Sequence, residues 1–534
     1  MRRQFLIVSI VLMVALAALS WVWPPVLWSL LVFGPLLAAG YQDYFQQRQA
    51  IRRNFPILGR FRYLFEAIRP EINQYFVESN TDGRPFSRDE RSVVYQRAKD
   101  TLDTVPFGTR LDVYQPGYEW MNHSLAPLHV DPATLRVTIG GPACTQPYDA
   151  SLLNISAMSY GSLSGNAIRA LNGGARDGGF AHNTGEGGIS PHHLANGGDL
   201  IWQIGTGYFG CRNADGGFDP ELFAKNASRP EVKMIELKLS QGAKPGHGGI
   251  LPAAKVTPEI AAIRHVPLGK DVLSPPGHSA FSTPVEMMHF LATMRELSGG
   301  KPVGFKLCLG KRREFLALCK AMVATGVTPD YIAVDGGEGG TGAAPVEFTN
   351  RVGSPAVEAI AFVHNALVGF GVRDRVRVLA AGRITTGFGV LKALMLGADL
   401  VYSARGMMLA LGCIQALRCN ANVCPTGVAT QDPHLEAGLV VTDKRRRVAS
   451  FHRETLASVA ELLGAMGLSS TRQLRPWHLM RRVSPTEVRH YGELFHYLQS
   501  GDLLGDDPPA DYARALRAAS AHTFASTSDD PIPV

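Results

Sequence analysis

Two uncharged apolar stretches open the chain, FLIVSIVLMVALAALSWVW at 5–23 and PPVLWSLLVFGPLLAAGY at 24–41. Each has about the 20 residues a helix needs to cross a bilayer. Trp21, Trp23 and Trp28 surround Pro24-Pro25, which suits an interfacial turn between two spans. Arg2 and Arg3 precede the first stretch; Arg48, Arg52, Arg53, Arg60, Arg62 and Arg69 follow the second. Positive charge on both flanks predicts a transmembrane hairpin over 1–41 with both ends, and the rest of the chain, in the cytoplasm. A single anchor and a cleaved signal peptide are the alternatives, and the latter leaves the second stretch unexplained.

Residues 42–140 read as a helical, amphipathic N-terminal region without a motif. From Leu152 the pattern changes to short β-type runs that end in glycine or polar clusters. They are LLNISA, GFAHNTG, LIWQIGTG, MIELKLSQG, PVGFKLCLG, YIAVDGG, VRVLAAG and LVYSARG. Helix-type stretches such as PVEMMHFLATMREL and PAVEAIAFVHNALVG separate them. Near-continuous apolar strands alternating with helices predict parallel pairing. Eight such units predict an α/β fold, a (β/α)8 TIM-type barrel over 141–435, with an open doubly wound sheet as the runner-up. A helical extension follows over 436–504. The Asp/Pro/Ala-rich 505–534 reads as a disordered tail.

Net charge is +7, but no basic stripe is interleaved with aromatics, so nucleic acid is not an expected partner. Of seven cysteines, Cys144, Cys211, Cys308 and Cys319 stand singly in apolar surroundings, as reduced thiols do. Cys413, Cys419 and Cys424 are clustered instead. Three is odd for disulfides and one short of a four-thiolate zinc site. With a histidine they could hold zinc.

In a barrel the chemistry belongs at the carboxyl ends of the strands. The sixth run leads into DGGEGGTGAAP, whose glycines leave backbone N–H groups free to converge on an anion. The seventh and eighth end in AAGRITTG and SARG, where many barrels hold a phosphate. Gly382, Arg383, Ala404 and Arg405 are therefore candidate phosphate ligands, with tight-turn glycines as the plainer reading. After the fourth run, Gln241, Lys244 and Arg264 offer an amide, an ammonium and a guanidinium, a set that suits a small dicarboxylate. Lys306, in apolar VGFKLCLG, needs an acceptor: an electron-rich ring or a carboxylate. NISAMSYGSLS would let a flat ring approach its backbone, and Glu186 in NTGEGG is poised at a site rim.

SAMSYGSLS, NTGEGG, QGAKPGHGG, GGTGAAP and CPTGVATQ, in this order across 150–432, resemble the central synthase domain of glutamate synthase. The resemblance is closer to stand-alone FMN-binding glutamate synthase family proteins. It implies a (β/α)8 barrel holding FMN and a [3Fe-4S] cluster on Cys413, Cys419 and Cys424. It also implies FMN contacts from Ser156, Ala157, Met158, Ser159, Lys306, Gly340, Thr341, Gly342, Gly382, Arg383, Ala404 and Arg405. 2-Oxoglutarate would bind through Gln241, Lys244 and Arg264, with Glu186 nearby, condense with ammonia and be reduced to L-glutamate. Electrons would enter through the cluster from a separate donor such as ferredoxin or an NAD(P)H-dependent reductase. The glutaminase domain of the larger family members is expected to be absent, because the chain starts MRRQF. His247 and Ile189 stand where those members carry acids, which leaves a different small carboxylic acid as the alternative substrate. A catalytically silent membrane scaffold is the reading from another class.

Overall fold

Strands that are apolar on both faces leave water only by pairing edge to edge with helices packed outside them. Here the eight apolar runs close on themselves. A computed structural model describes residues 1–527, which divide into two compact units, Met1–Ser87 and the remainder from Arg88. In the second unit the barrel strands are β1 (Leu153–Ile155), β2 (His182–Asn183), β3 (Leu200–Ile204), β4 (Val232–Lys238), β5 (Val303–Leu307), β6 (Tyr331–Asp335), β7 (Arg377–Ala381) and β8 (Leu400–Ser403). All pair in parallel, and β8 returns to β1 with Val401 opposite Leu153 and Ser403 opposite Ile155. The (β/α)8 expectation is borne out, and the open sheet is not formed.

The helices start where the sequence offers caps. The Ser164 hydroxyl accepts from the Ala167 N–H ahead of Gly165–Gly178, and Thr283 and Glu286 form a capping box on Pro284–Leu297. The 25-residue helix Val441–Ala465 packs against Gly165–Gly178. Gly174 permits this approach, since a Cβ there would stand 2.6 Å from the Val448 Cβ. Val448, Phe451 and Leu463 are fully buried along that face, each contributing roughly 2 kcal/mol of apolar burial.

Three expectations need correction. The extension over 436–504 is not all helix, since Leu479–Arg482 and Val488–His490 are strands. Helix does not continue through 42–140. It ends at Ala98; Glu119–Met121 and Arg136–Ile139 are strands, because Pro106, Gly108, Pro116 and Gly117 interrupt any helical run between. The tail is not wholly disordered either. Ala510–Arg517 is a helix whose Tyr512, Ala515 and Leu516 recur at helical spacing and are buried. The Lys320 ammonium donates to the Leu516 and Ala519 carbonyls, both at 2.8 Å. Residues 528–534 lie outside the described residues.

In the first unit, helices Arg2–Val22 and Leu30–Phe45 are joined by the 3-10 turn Pro24–Ser29. They run antiparallel: the Phe5 ring meets Tyr41 edge-on at 5.4 Å, and the Ser9 and Tyr41 hydroxyls are 2.8 Å apart. By length and composition, Arg2–Val22 and Pro24–Phe45 are both long and apolar enough to cross a membrane.

Candidate active site

Alternation along β4 places Met234, Glu236 and Lys238 on one side of the strand. Glu236 is fully buried and accepts from Asn183 of β2 at 2.8 Å, Gln203 of β3 at 2.6 Å and Tyr402 of β8 at 2.9 Å. Its partners on three other strands put this carboxylate inside the barrel. Two residues nearer the mouth, the Lys238 ammonium pairs with Glu186 at 2.8 Å. Neither Glu236 nor Lys238 was singled out from the sequence, although their i, i+2 spacing in MIELKLSQG is the signal for a polar column on the inner face.

Glu186 gathers two of the three expected dicarboxylate ligands, Lys244 and Arg264. Burial alone would raise its pKa, but Lys238, Lys244 and Arg264 outweigh that and hold it below the usual carboxylate range. Burial pulls the Lys244 pKa down, partly offset by Glu186. Among the described residues, neither the Lys244 ammonium nor the Gln241 amide makes a side-chain hydrogen bond. The Arg264 guanidinium donates to the Tyr160 carbonyl at 3.0 Å and lies over the Phe209 ring at 5.2 Å, while its Nε is buried without a partner. Burial brings its pKa down to about 10. Lys238, Lys244 and Arg264 thus bring three cationic side chains to one partly exposed carboxylate.

The loop bearing Gln241 and Lys244 is fixed by contact with the loop after β6. A Cβ at Gly242 would fall 1.8 Å from the Gly336 carbonyl oxygen, so only glycine fits. The Gly242 N–H donates to Asp335 at 3.0 Å, and Asp335 also pairs with Lys306 of β5 at 3.1 Å. The acceptor Lys306 requires is therefore a carboxylate. Burial opposes its charge, but Asp335, Glu236 and Glu186 raise its pKa above the ordinary lysine value. His278 closes one wall, its Nε2 at 2.8 Å from the Lys238 carbonyl and its Nδ1 at 3.1 Å from the Tyr208 hydroxyl. Burial drops its pKa to about 4, so the ring is neutral. His247 turns its Nδ1 to the Gly248 carbonyl at 3.0 Å and its ring edge to Phe348; Ile189 is half-buried.

The expected phosphate ligands also come together. Arg405 Nη2 donates to the Glu338 carbonyl at 2.5 Å, and a Cβ at Gly340 would lie 3.0 Å from Arg405 Nη1. Arg383 makes a two-oxygen pair with Glu90 at 2.9 and 3.0 Å. The Glu338 carboxylate accepts from the Ala356 N–H at 3.0 Å, at the start of helix Ala356–Gly369. Ala404 caps helix Arg405–Leu411, and Gly382 has a φ of 155°. On the β1 loop, the Ser156 N–H donates to Ser403 and that of Met158 to Asn183, leaving Ala157 and Ser159 partly exposed. Thr341 is exposed, and a Cβ at its neighbour Gly342 would stand 3.1 Å from the Cys419 Cβ. One glycine loop therefore touches both Arg405 and the cysteine segment.

Cys413, Cys419 and Cys424 are free thiols close enough to influence one another electrostatically. Burial pushes Cys413 up to about 11, whereas Thr426 and three backbone groups outweigh burial at Cys424 and lower it. The Tyr95 hydroxyl donates to the Cys413 carbonyl at 2.7 Å. The buried Lys255 ammonium donates to the carbonyls of Cys419 at 3.0 Å, Ala429 at 3.2 Å and Ser162 at 3.3 Å. Lys255 gave no signal in the sequence.

A closed parallel barrel with its ionisable groups gathered at the strands' carboxyl ends defines the α/β-barrel enzyme class. Residues 139–469, more than half the chain, match the family model described as the conserved region in glutamate synthase. The glutamate synthase large subunit-like protein YerD of Bacillus subtilis is 37% identical over 500 residues, covering 86% of this chain and 95% of that protein. The archaeal glutamate synthase [NADPH] of Archaeoglobus fulgidus is 36% identical over 321 residues, 60% of each chain. The chain belongs to the glutamate synthase family and is an oxidoreductase acting on CH–NH2 donors. Among solved structures, a mandelate oxidase with a monooxide FMN adduct aligns at 17% identity and a TM-score of 0.40, over 80% of this chain and 99% of that one.

Proposed function

We propose that the protein reductively aminates 2-oxoglutarate with ammonia to L-glutamate, using FMN and a [3Fe-4S] cluster. A separate donor, such as ferredoxin or an NAD(P)H-dependent reductase, supplies electrons, and the N-terminal hairpin tethers the enzyme to the cytoplasmic face of a membrane. The observation that carries this reading is the surplus of cationic side chains around Glu186, with Lys244 and Gln241 making no side-chain hydrogen bond among the described residues. A dicarboxylate supplies what such a pocket lacks.

The residues fit the cofactors. Arg383 and Arg405 converge beside a helix start whose N–H already donates to an anionic partner, the Glu338 carboxylate, so a phosphate suits this corner. With Gly382, Ala404, Gly340 and Thr341 they would hold the phosphate of FMN. The Ser156–Ser159 backbone would meet its ring, and Lys306 would set a positive charge at the ring's edge. FMN, when bound, supplies the hydride that reduces the imine carbon. Among the described residues, no three His, Cys, Asp or Glu side chains are grouped tightly enough for a single metal ion, which needs sulfurs at about 2.3 Å. An iron–sulfur cluster takes its thiolates at separate corners, so the more open trio suits it, with Gly342 packed against Cys419 and Lys255 offsetting its charge.

The chain's own part is binding and proton handling. Arg264, Lys244 and Gln241 hold the two carboxylates and align the ketone. As ammonia replaces the carbonyl oxygen, that oxygen leaves as water. Lys238 Nζ, paired with Glu186 Oε1 at 2.8 Å, would protonate it. Anaerobic protein reduced with dithionite should be reoxidised by 2-oxoglutarate plus ammonium, with glutamate formed. Reoxidation by another acid alone would favour the second reading, a different small carboxylic acid as substrate; the packing of the His247 ring against Phe348 is the observation on its side. Protein without flavin absorbance would sink both.

A further inference from the structure

Beyond the two apolar spans, helix Leu58–Ile72 and the π-turn Asn73–Val77 carry an exposed apolar stripe. Leu58, Phe61, Phe65, Ile68 and Ile72 recur at steps of three and four, and Phe76 continues the line. All are exposed, Phe65 at 60% and Phe76 at 84%. A stripe this long does not stay in water without a partner. Arg62 and Arg69 border it by helical spacing.

The start of this helix is tied to the base of the second span. Asp43, fully buried in the last turn of Leu30–Phe45, pairs with Arg52 at 2.5 Å and Arg60 at 2.7 Å, and accepts the Ile57 N–H at 3.2 Å. Arg60 also donates to the Ala39 carbonyl at 3.1 Å. A Cβ at Gly59 would meet the Arg52 backbone at 2.8 Å, so the elbow closes tightly. The elbow therefore begins the stripe at the level where the span ends, which for a membrane hairpin is the boundary between acyl chains and headgroups.

We infer that Leu58–Val77 lies in the plane of the same bilayer that holds the hairpin, its stripe sunk about 5–10 Å into the headgroup–acyl boundary. Arg62 and Arg69 reach the phospholipid phosphates from one edge of the stripe. This rests on the hairpin crossing the membrane, so the test carries a reporter for each. The full-length protein is placed in nanodiscs of phosphatidylcholine and phosphatidylglycerol, with 4-trifluoromethylphenylalanine at Phe65 or, separately, at Phe33 in the second span. Fluorine signals are recorded with nitroxide-labelled lipid and with a water-soluble gadolinium chelate. Both reporters are expected to lose most of their intensity to the lipid nitroxide and little to gadolinium. A Phe33 signal untouched by lipid nitroxide would refute the hairpin. If Phe33 responds but Phe65 does not, the in-plane helix is refuted; sensitivity to gadolinium would then mean water, and insensitivity to both probes a protein partner.

Discussion

Glu236 inside the barrel and Glu186 at its mouth are met by opposite means. Glu236 is met by an amide from Asn183, an amide from Gln203 and the Tyr402 hydroxyl. These donors satisfy its oxygens and tie β4 to β2, β3 and β8. Glu186 is met by Lys238, Lys244 and Arg264, more positive charge than one carboxylate cancels. A charge satisfied by neutral dipoles leaves nothing over for a ligand, and such a network specifies structure. Uncompensated buried cations are costly, and a fold keeps them where an anion arrives to complete them. The difference separates a carboxylate that builds the barrel from one that works at its mouth.

The largest effect follows from breaking the first of these. Glu236→Ala leaves three donors facing one another in a sealed interior and should cost about 4 kcal/mol, at roughly 1–3 kcal/mol per unpaired group with some relaxation. Urea unfolding monitored by tryptophan fluorescence measures it, and a loss under 1 kcal/mol would mean the network is not a tie. Lys306 lies within electrostatic reach of both carboxylates, so Lys306→Met sharpens the contrast. It strands Asp335 and should cost about 3 kcal/mol, while Lys306→Met with Asp335→Leu should regain most of that. A double mutant no better than the single would show that the ion pair is not the cause. Lys255 gives a third case, a buried cation held by three carbonyls instead of a carboxylate. Lys255→Met should cost about 2 kcal/mol and lower the iron bound per chain after anaerobic reconstitution; unchanged iron would detach Lys255 from the cysteine segment.

The barrel was legible because its strands are buried on both faces. Each of the eight therefore reads as an apolar run that stops at a glycine or a polar cluster, and all eight form at the expected stretches, β4 starting two residues earlier at Val232. The mouth was legible in part for the same reason: polar residues such as Lys244 and Arg383 fall just past those stops. What was hidden depends on partners far away in sequence. Glu90 meets Arg383 across 293 residues, and Lys255 meets the Cys419 carbonyl across 164. No local pattern encodes either contact. Glu236 and Lys238 were hidden differently, since a charged residue in an apolar strand reads as an interruption until closure gives the strand an inside. The helix Ala510–Arg517 escaped because Pro and Asp around it outweighed a three-residue apolar stripe.

The smallest effect on stability tests the second carboxylate most directly. Glu186→Gln keeps the shape and removes the charge, so at pH 7 it should cost under about 1 kcal/mol, given partial exposure. Because the folded carboxyl is held below its unfolded value of about 4.3, its stabilising contribution is complete above that pH. It is lost as pH falls through the lower folded value. The stability gap between wild type and Glu186→Gln should therefore shrink as the pH is taken from 5 toward 3, read from urea midpoints at each pH. A gap that stays constant would mean the cations do not neutralise Glu186. The same substitution frees Lys244 and Arg264 from an internal competitor. 2-Oxoglutarate should then raise the melting temperature of Glu186→Gln more than that of wild type, even as turnover falls with Lys238 no longer held. Tighter binding with slower turnover separates a residue that positions a proton donor from one that only shapes a pocket, since a pocket defect would weaken both.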